Sequence, residues 1–475
     1  MQLAVGGRAG RFAIGDARQH RTQGPNEPLH RRAAPAGANV STQAGPAPPE
    51  DDDAVEPARA GPRDRASRAL QRVVVVGSGQ GGFQLALSLR QGGFAGEIVL
   101  VGDEPGLPYQ RPPLSKAYLS DGRSDKLPFR PRDFFERERI ELREGTRATS
   151  IDREARRVDL ADGTALPYDH LVLATGTRNR TLPLEGIDCG GVLGLRTLAH
   201  ADGLASQLRG ARHVAIVGGG FIGLEVATAA SKIGARVTVV EAADRLMARA
   251  VSPPISDHFL ALHERMGTKV HLATQLRSIA CDAGGDARSA TLSTGASLTT
   301  DLVVIGAGVV PNDELARDAG IACGDGILVD ETMLTDDPSI SAIGDCAAHV
   351  DEASGERVRL ESVQNAADQA RCVAARLLGQ PEPYRAVPWF WSDQAGAKLQ
   401  IAGLIVGADE HRPVRHGPGL AVISLRGDRL VAVEAVDAPA QYMAGRRLLS
   451  QIPVTRRELD DVGYDLRAVM TSRAA

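Results

Sequence analysis

"VAIVGGGFIGLE", residues 214–225, runs from four apolar residues into glycines at 218, 220 and 223. A run of that kind suits a strand buried on both faces, and the glycines suit a tight turn from strand into helix. "VVVVGSGQGG", residues 73–82, repeats the pattern with glycines at 77, 79 and 82. In such a loop the first glycine permits the turn. The second lets backbone approach a pyrophosphate, and the third lets the helix lie close on its strand. Phosphate oxygens then meet free N–H groups at a helix N-terminus, where the macrodipole favours negative charge.

The surroundings repeat as well. "RVVVVG" leads into "FQLALSLRQGG", apolar at helical spacing and stopped by Gly92-Gly93, and then into the strand "EIVLVG" (97–102). "HVAIVG" (213–218) leads into "FIGLEVATAASKIGA" and the strand "RVTVVE" (236–241). An acid closes each unit: Asp103 or Glu104 in the first, Glu241 in the second. A carboxylate there accepts from a ribose 2′-OH and repels a 2′-phosphate, so Glu241 favours NADH over NADPH. Arg245, four residues on, is either a phosphate partner or a solvated loop cation. "LPYDHLVLATGTRNR" (166–180) and "LTTDLVVIGAGVVPN" (298–312) each run a strand into a glycine turn, at Thr175-Gly176 and at Gly308. The expected fold class is α/β, with two Rossmann-like dinucleotide-binding domains. One holds FAD and the other NADH, so that hydride passes between two rings. From about 386 the alternating segments "LAVISL" (420–425) and "LVAVEAV" (430–436) indicate a separate, small α+β domain.

Bulk properties exclude other classes. A chain of 475 residues is long enough for about three domains. A net charge of −4 and 4% aromatics argue against nucleic acid as a partner. No apolar run reaches the roughly 20 residues needed to span a bilayer, so no membrane is expected. The five cysteines, at 189, 281, 323, 346 and 372, form no C-x-x-C pair, no zinc spacing and no iron–sulfur pattern. Scattered thiols suit a reducing compartment, and the cytoplasm is the expected location, with no metal site. Residues 1–70, rich in Ala, Arg, Gly and Pro with "EDDD" at 50–53, read as a disordered N-terminal extension. A targeting segment and a misplaced start codon both remain open readings of it.

A set of motifs in fixed order then becomes recognisable: "RPPLSKAYL" (111–119), "ATG" (174–176), "IGDCA" (343–347), "ESVQNAADQA" (361–370) and "PWFWSDQ" (388–394). Over about 70–450 the chain resembles the FAD-dependent ferredoxin reductases of bacterial monooxygenase and dioxygenase systems. The resemblance implies an FAD domain split between 70–195 and 316–385, an inserted NAD(H) domain at 196–315, and a C-terminal domain at 386–475. It implies that Gly81 and Asp103 meet the FAD pyrophosphate and ribose, and that Ala148 and Arg196 lie at the adenine half and a nearby loop. Asp345, after Gly344, would reach ribityl or pyrophosphate oxygens, Val363 the isoalloxazine edge, and Lys116 the flavin ring. Lys116 and Glu225 are the expected catalytic pair.

Physical chemistry supports parts of this. Reduced flavin gathers negative charge, which an ammonium such as Lys116 or the helix beginning near Ser362 would stabilise. Glu225 either orients nicotinamide, pairs with Lys116, or is a helix-start carboxylate favoured by the dipole. Phe221, beside Ile222, shields the nicotinamide slot or merely packs. Trp389 and Trp391, at i and i+2, share a strand face; they cover the flavin, touch the acceptor, or pack between domains. Relatives that use one reactive cysteine place it where "LSK" stands here, at Leu114, Ser115 and Lys116. With no thiol to receive them, electrons would leave to an outside acceptor, and the expected partner is a [2Fe–2S] ferredoxin steered by cations such as Arg371 and Lys398. Two rival readings are an NADH oxidase and a redox-controlled binding protein resembling the apoptosis-inducing factors.

Overall fold

The computed structural model describes residues 3–5, 70–122, 124–451 and 453–474. Val73, Val74 and Val75 are fully buried in the strand Arg72–Val76, which explains its unbroken apolar run. It lies at the centre of a five-stranded parallel sheet ordered Ile340–Ala342, His170–Leu173, Arg72–Val76, Glu97–Val101 and Ile140–Arg143. A second five-stranded parallel sheet has the same plan: Val192–Gly194, Leu302–Ile305, His213–Val217, Arg236–Val240 and Lys269–His271. Each sheet also carries a three-stranded antiparallel meander inserted before its exit strand, spanning 148–167 in the first and 276–299 in the second.

The two copies share one further device. Asp169 Oδ2 accepts from the backbone N–H of Gln71 and Arg72 at 2.9 and 2.8 Å. Asp301 Oδ2 accepts from those of Arg212 and His213, both at 2.9 Å. Each carboxylate, one residue before an exit strand, aligns the neighbouring first strand. Burial works to raise the Asp301 carboxyl, but donation from His213 and Arg212 outweighs it and holds it below the usual range.

Three expectations need correction. The strand Val192–Gly194 pairs with Leu302–Ile305, so the second sheet begins before the boundary expected at 196. Cys189 and Cys281 are joined in a disulfide, with Cα atoms 5.9 Å apart; their 92-residue separation hides the pairing from any reading of spacing. Of the extension expected to be disordered, Leu3–Val5 pairs antiparallel with Val358–Leu360 as an edge strand. Residues 6–69 lie outside the described residues.

The C-terminal domain is an antiparallel sheet ordered Trp389–Gln394, Ala397–Gly403, Arg429–Val436, Gly419–Arg426 and Glu410–His416, followed by three helices. One buried carboxyl ties it to the second parallel layer. Glu434 accepts from the backbone N–H of Ser252, the N-cap of the helix Pro253–Arg265, at 2.9 Å. Its other oxygen is buried without a hydrogen-bond partner. Burial pushes its carboxyl up to about 7, against the pull of the Ser252 contacts. A raised folded-state value means stability that is present below the ordinary range near 4.5 and lost as pH rises through about 7. Glu434→Gln should therefore be more stable than the wild type above pH 7, by about 1–3 kcal/mol, with a flatter pH profile in urea unfolding. The disulfide gives a second test. Denatured, unreduced protein should titrate three thiols and reduced protein five, and reduction should lower Tm, with a loss of about 4.6 kcal/mol as the chain-entropy ceiling.

Candidate dinucleotide and electron-transfer site

Both glycine loops fold as their spacing implies. Gly77 and Gly218 have φ of +112° and +110°, values only glycine adopts readily. A Cβ at either would strike the carbonyl of Ala174 or Gly306, the first residues of the two exit turns. A Cβ at Gly82 or Gly223 would strike the carbonyl of Gly77 or Gly218, so these are the close helix-to-strand approaches. Gly79 and Gly220 are the N-caps of Gln80–Gln91 and Phe221–Lys232, and neither has a neighbour within 4 Å of an added Cβ. Two helix N-termini thus face open space over bare backbone, a shape and polarity that fit a pyrophosphate. Gly81 is different: it lies against Ile343 and Ala366, where the helix Val363–Leu377 packs on the first helix.

The first cleft is lined by Ser78, Gly79, Glu104, Tyr109 and Arg111. Glu104 turns inward, accepting from Tyr109 Oη at 2.6 Å and pairing with Arg111 at 2.5 Å. Asp103 stays more than half exposed, 3.1 Å from Arg147. Of the two acids, Asp103 is therefore the one open to a ribose. Ala148 begins the strand Ala148–Asp152 beside Arg147. Thr175 and Gly176 form a closed turn: Thr175 Oγ1 donates to Asn312 O at 2.6 Å, and Gly176 O accepts from Asn312 N. Arg196 donates to Thr177 O at 2.9 Å and pairs with Asp345 at 3.1 Å. Gly344, φ +77°, donates its N–H to Gln369 Oε1 at 2.7 Å, fixing the turn that holds Asp345. Ser362 caps the 15-residue helix that starts at Val363, accepting from Asn365 N at 3.1 Å.

In the second cleft Glu241 Oε2 accepts from Gly219 N at 2.6 Å and Oε1 from Ala243 N at 2.7 Å, so the acid closes the glycine loop itself. Arg245 is committed to Val251 O, Ser256 Oγ and Ala248 O, at 2.7, 3.0 and 2.6 Å. It is a loop staple. Phe221 is 4% exposed, its ring 4.6 Å from that of Phe390, so it packs between layers; Ile222 beside it is 46% exposed. Gly308, φ +98°, accepts from Arg180 N and turns the second exit strand.

Lys116 and Glu225 are brought together. Lys116 Nζ lies 2.9 Å from Glu225 Oε1, with side-chain exposures of 23% and 2%. Ser115 Oγ donates to the other carboxylate oxygen, and Ser392 Oγ donates to Oε1 at 2.6 Å. Glu225 thus sits where all three domains meet. Trp389 and Trp391 lie 5.8 Å apart, with Arg446 4.7 Å over the Trp389 ring; the backbone N–H of Trp389 donates to Gln364 Oε1 in the first turn of the Val363 helix. Arg371 is paired with Asp368. The three unbridged cysteines are poor nucleophiles: burial raises Cys346 and pushes Cys323 and Cys372 up to about 11. His349 is buried and held near 4. Among the described residues, the Asp169 and Asp301 clamps and Ser392 are the parts that sequence reasoning missed.

Residues 71–370 match the family model of pyridine nucleotide-disulphide oxidoreductases, and 389–470 that of the reductase C-terminal domain. The chain belongs to this family. Rhodocoxin reductase of Rhodococcus erythropolis is 50% identical over 400 residues, covering 83% of this chain and 93% of that one. The crystal structure of the ferredoxin reductase for the CYP199A2 system of Rhodopseudomonas palustris is 46% identical with a TM-score of 0.81, covering 84% and 99%. That of the covalent putidaredoxin reductase–putidaredoxin complex is 37% identical, also with a TM-score of 0.81, covering 86% and 100%. The fold is therefore that of the ferredoxin reductases, and the protein is an FAD-containing oxidoreductase that uses NAD(P)H. Among the described residues no helix is long and apolar enough to cross a membrane.

The geometry at Glu241 sets the coenzyme prediction. Glu241→Gln keeps an acceptor but removes the charge that repels a 2′-phosphate. Steady-state assays should show kcat/KM for NADPH rising about tenfold relative to NADH, equivalent to about 1.4 kcal/mol.

Proposed function

We propose that the chain is an NADH-dependent ferredoxin reductase that feeds single electrons to a [2Fe–2S] ferredoxin serving a monooxygenase or dioxygenase. The observation that carries this reading is the ion pair of Lys116 with the buried Glu225, which stands with Ser115 where the resemblance places the cysteine of thiol-using relatives. Bound FAD supplies two-electron acceptance from NADH and one-electron release. The chain supplies position and charge. Gly77, Gly79, Gly82 and the first helix N-terminus hold the FAD pyrophosphate, with Gly81 behind them. Asp103 holds the ribose, Ala148 and Arg196 the adenine side, and Thr175, Gly176, Gly344 and Asp345 the middle of the cofactor. Lys116 and the helix starting at Ser362 and Val363 offer positive charge to the reduced ring. Gly218, Gly220, Gly223 and the second helix N-terminus hold the NADH pyrophosphate, Glu241 its ribose, and Ile222 and Gly308 the walls of that pocket, with Phe221 packed behind them.

The acceptor surface is the cleft of Trp389, Met443, Arg446 and Arg447. It offers Trp389 with Arg446 over its ring, an apolar side chain 58% exposed and a second cation, Arg447, while the one carboxylate in its lining, Asp368, is already paired with Arg371; cations outnumbering free carboxylates suit an acidic protein partner. We place the enzyme in the cytoplasm, where NADH is supplied.

Mixing with NADH in a stopped-flow instrument should bleach the flavin rapidly, and with NADPH slowly. Cytochrome c reduction should then rise at least about tenfold on adding a [2Fe–2S] ferredoxin and fall with added salt. Full-rate cytochrome c reduction or oxygen consumption without any ferredoxin would count against this function.

A further inference from the structure

A carboxylate as buried as Glu225 survives ionised only when its lone pairs are met. Ser115 and Lys116, both preceding the first meander, supply one donor each. The third comes from the far end of the chain, Ser392 on the strand Trp389–Gln394. That strand divides its residues by face. Trp389 and Trp391 lie on one side; Phe390, Ser392 and Gln394 lie on the other, against the helix Phe221–Lys232.

Behind Ser392 the hydrogen bonds form a line. Gln394 Nε2 donates to Ser392 Oγ at 3.2 Å, and Gln394 Oε1 stands 3.1 Å from His263 Nε2. His263 is fully buried and burial lowers its pKa, so the ring is neutral. Its one proton belongs on Nε2, because the carbonyl oxygen of Gln394 can only accept. Every donor in the line, from His263 to Gln394 to Ser392, then points toward Glu225. Such a line polarises in one sense and strengthens the last bond. The first domain contributes nothing to it; the inserted and C-terminal domains build it.

We propose that Ser392 is a positioning residue for electron transfer. Its hydroxyl, oriented by Gln394 and His263, donates to the same Glu225 oxygen that Lys116 contacts and takes up part of that oxygen's charge, so that the ammonium keeps more of its field on the flavin ring. This rests on the reading above that Lys116 faces FAD. Without the hydroxyl, the Glu225 charge is left to Ser115 and Lys116 alone, and the ammonium is more completely neutralised. The reduced ring then loses part of its stabilisation.

The test is a redox titration of the FAD-loaded protein, followed by visible absorbance. Ser392→Ala should lower the midpoint potential of the bound flavin and shift its absorption bands, whereas Ser392→Thr should stay near the wild type. Lys116→Met should also lower the potential, and Ser392→Ala should add nothing further in that background. In stopped flow, Ser392→Ala should slow flavin reduction several-fold at saturating NADH with little change in KM. A Ser392→Ala protein with wild-type potential and spectrum, or one whose shift persists fully in the Lys116→Met background, would overturn the proposal. If Lys116→Met alone leaves the potential unmoved, the placement of Lys116 at the ring is what fails, and Ser392 falls with it. Should Ser392→Ala not fold, Gln394→Met, which removes the donor behind Ser392 at similar volume, must lower the potential in the same direction; no change there also overturns the proposal.

Discussion

Backbone pressed on backbone governs this molecule. At each nucleotide loop two peptide carbonyls occupy the space where side chains would otherwise be: the Gly77 carbonyl against Gly82 and the Ala174 carbonyl against Gly77, with the same contacts among Gly218, Gly223 and Gly306. Only glycine permits the approach. It draws each helix onto its strand and each exit turn under its loop, and so leaves the helix N-terminus bare at Gly79 and Gly220. The clefts are consequences of that contact.

The parallel layers were legible because burial on both faces leaves a plain mark in "VVVV" and "VAIV". The doubled glycine pattern then fixed the order of strand, turn and helix. The Asp169 and Asp301 clamps were present in the aligned stretches "YDHLVLATG" and "TDLVVIGAG", but a single Asp before a strand carries no signal until the two copies are laid side by side. The meanders, the start of the second sheet at Val192 and the Cys189–Cys281 link depend on pairings across tens of residues, and no local periodicity records those. At the site, Lys116 and Glu225 could be named from their motifs. Which of Glu225's alternatives held could not, because its partners come from residues 115, 116 and 392. Arg245 was ambiguous for the opposite reason: its proximity in sequence to Glu241 suggested a ligand, whereas its three bonds to nearby loop atoms use it up.

Glu225 also shows why three domains are needed around two cofactors. A carboxylate donated by one domain, a cation by another and a hydroxyl by the third leave none of the three free to shift alone. The same economy appears at Glu434, which caps a helix of the inserted layer from a strand of the C-terminal sheet. Charge burial of this kind is costly in isolation and is tolerated where it fixes a relative orientation.

Beyond the two exit turns, the strands Thr177–Asn179 and Val309–Pro311 pair with each other, Asn179 opposite Val309 and Thr177 opposite Pro311. The chain therefore leaves the first layer and returns to it through a single ladder, side by side. Topologically the whole second layer is a hairpin loop hung on a three-residue stem. Everything between residues 180 and 308 can therefore be taken out at that stem without cutting any strand pairing of the first layer.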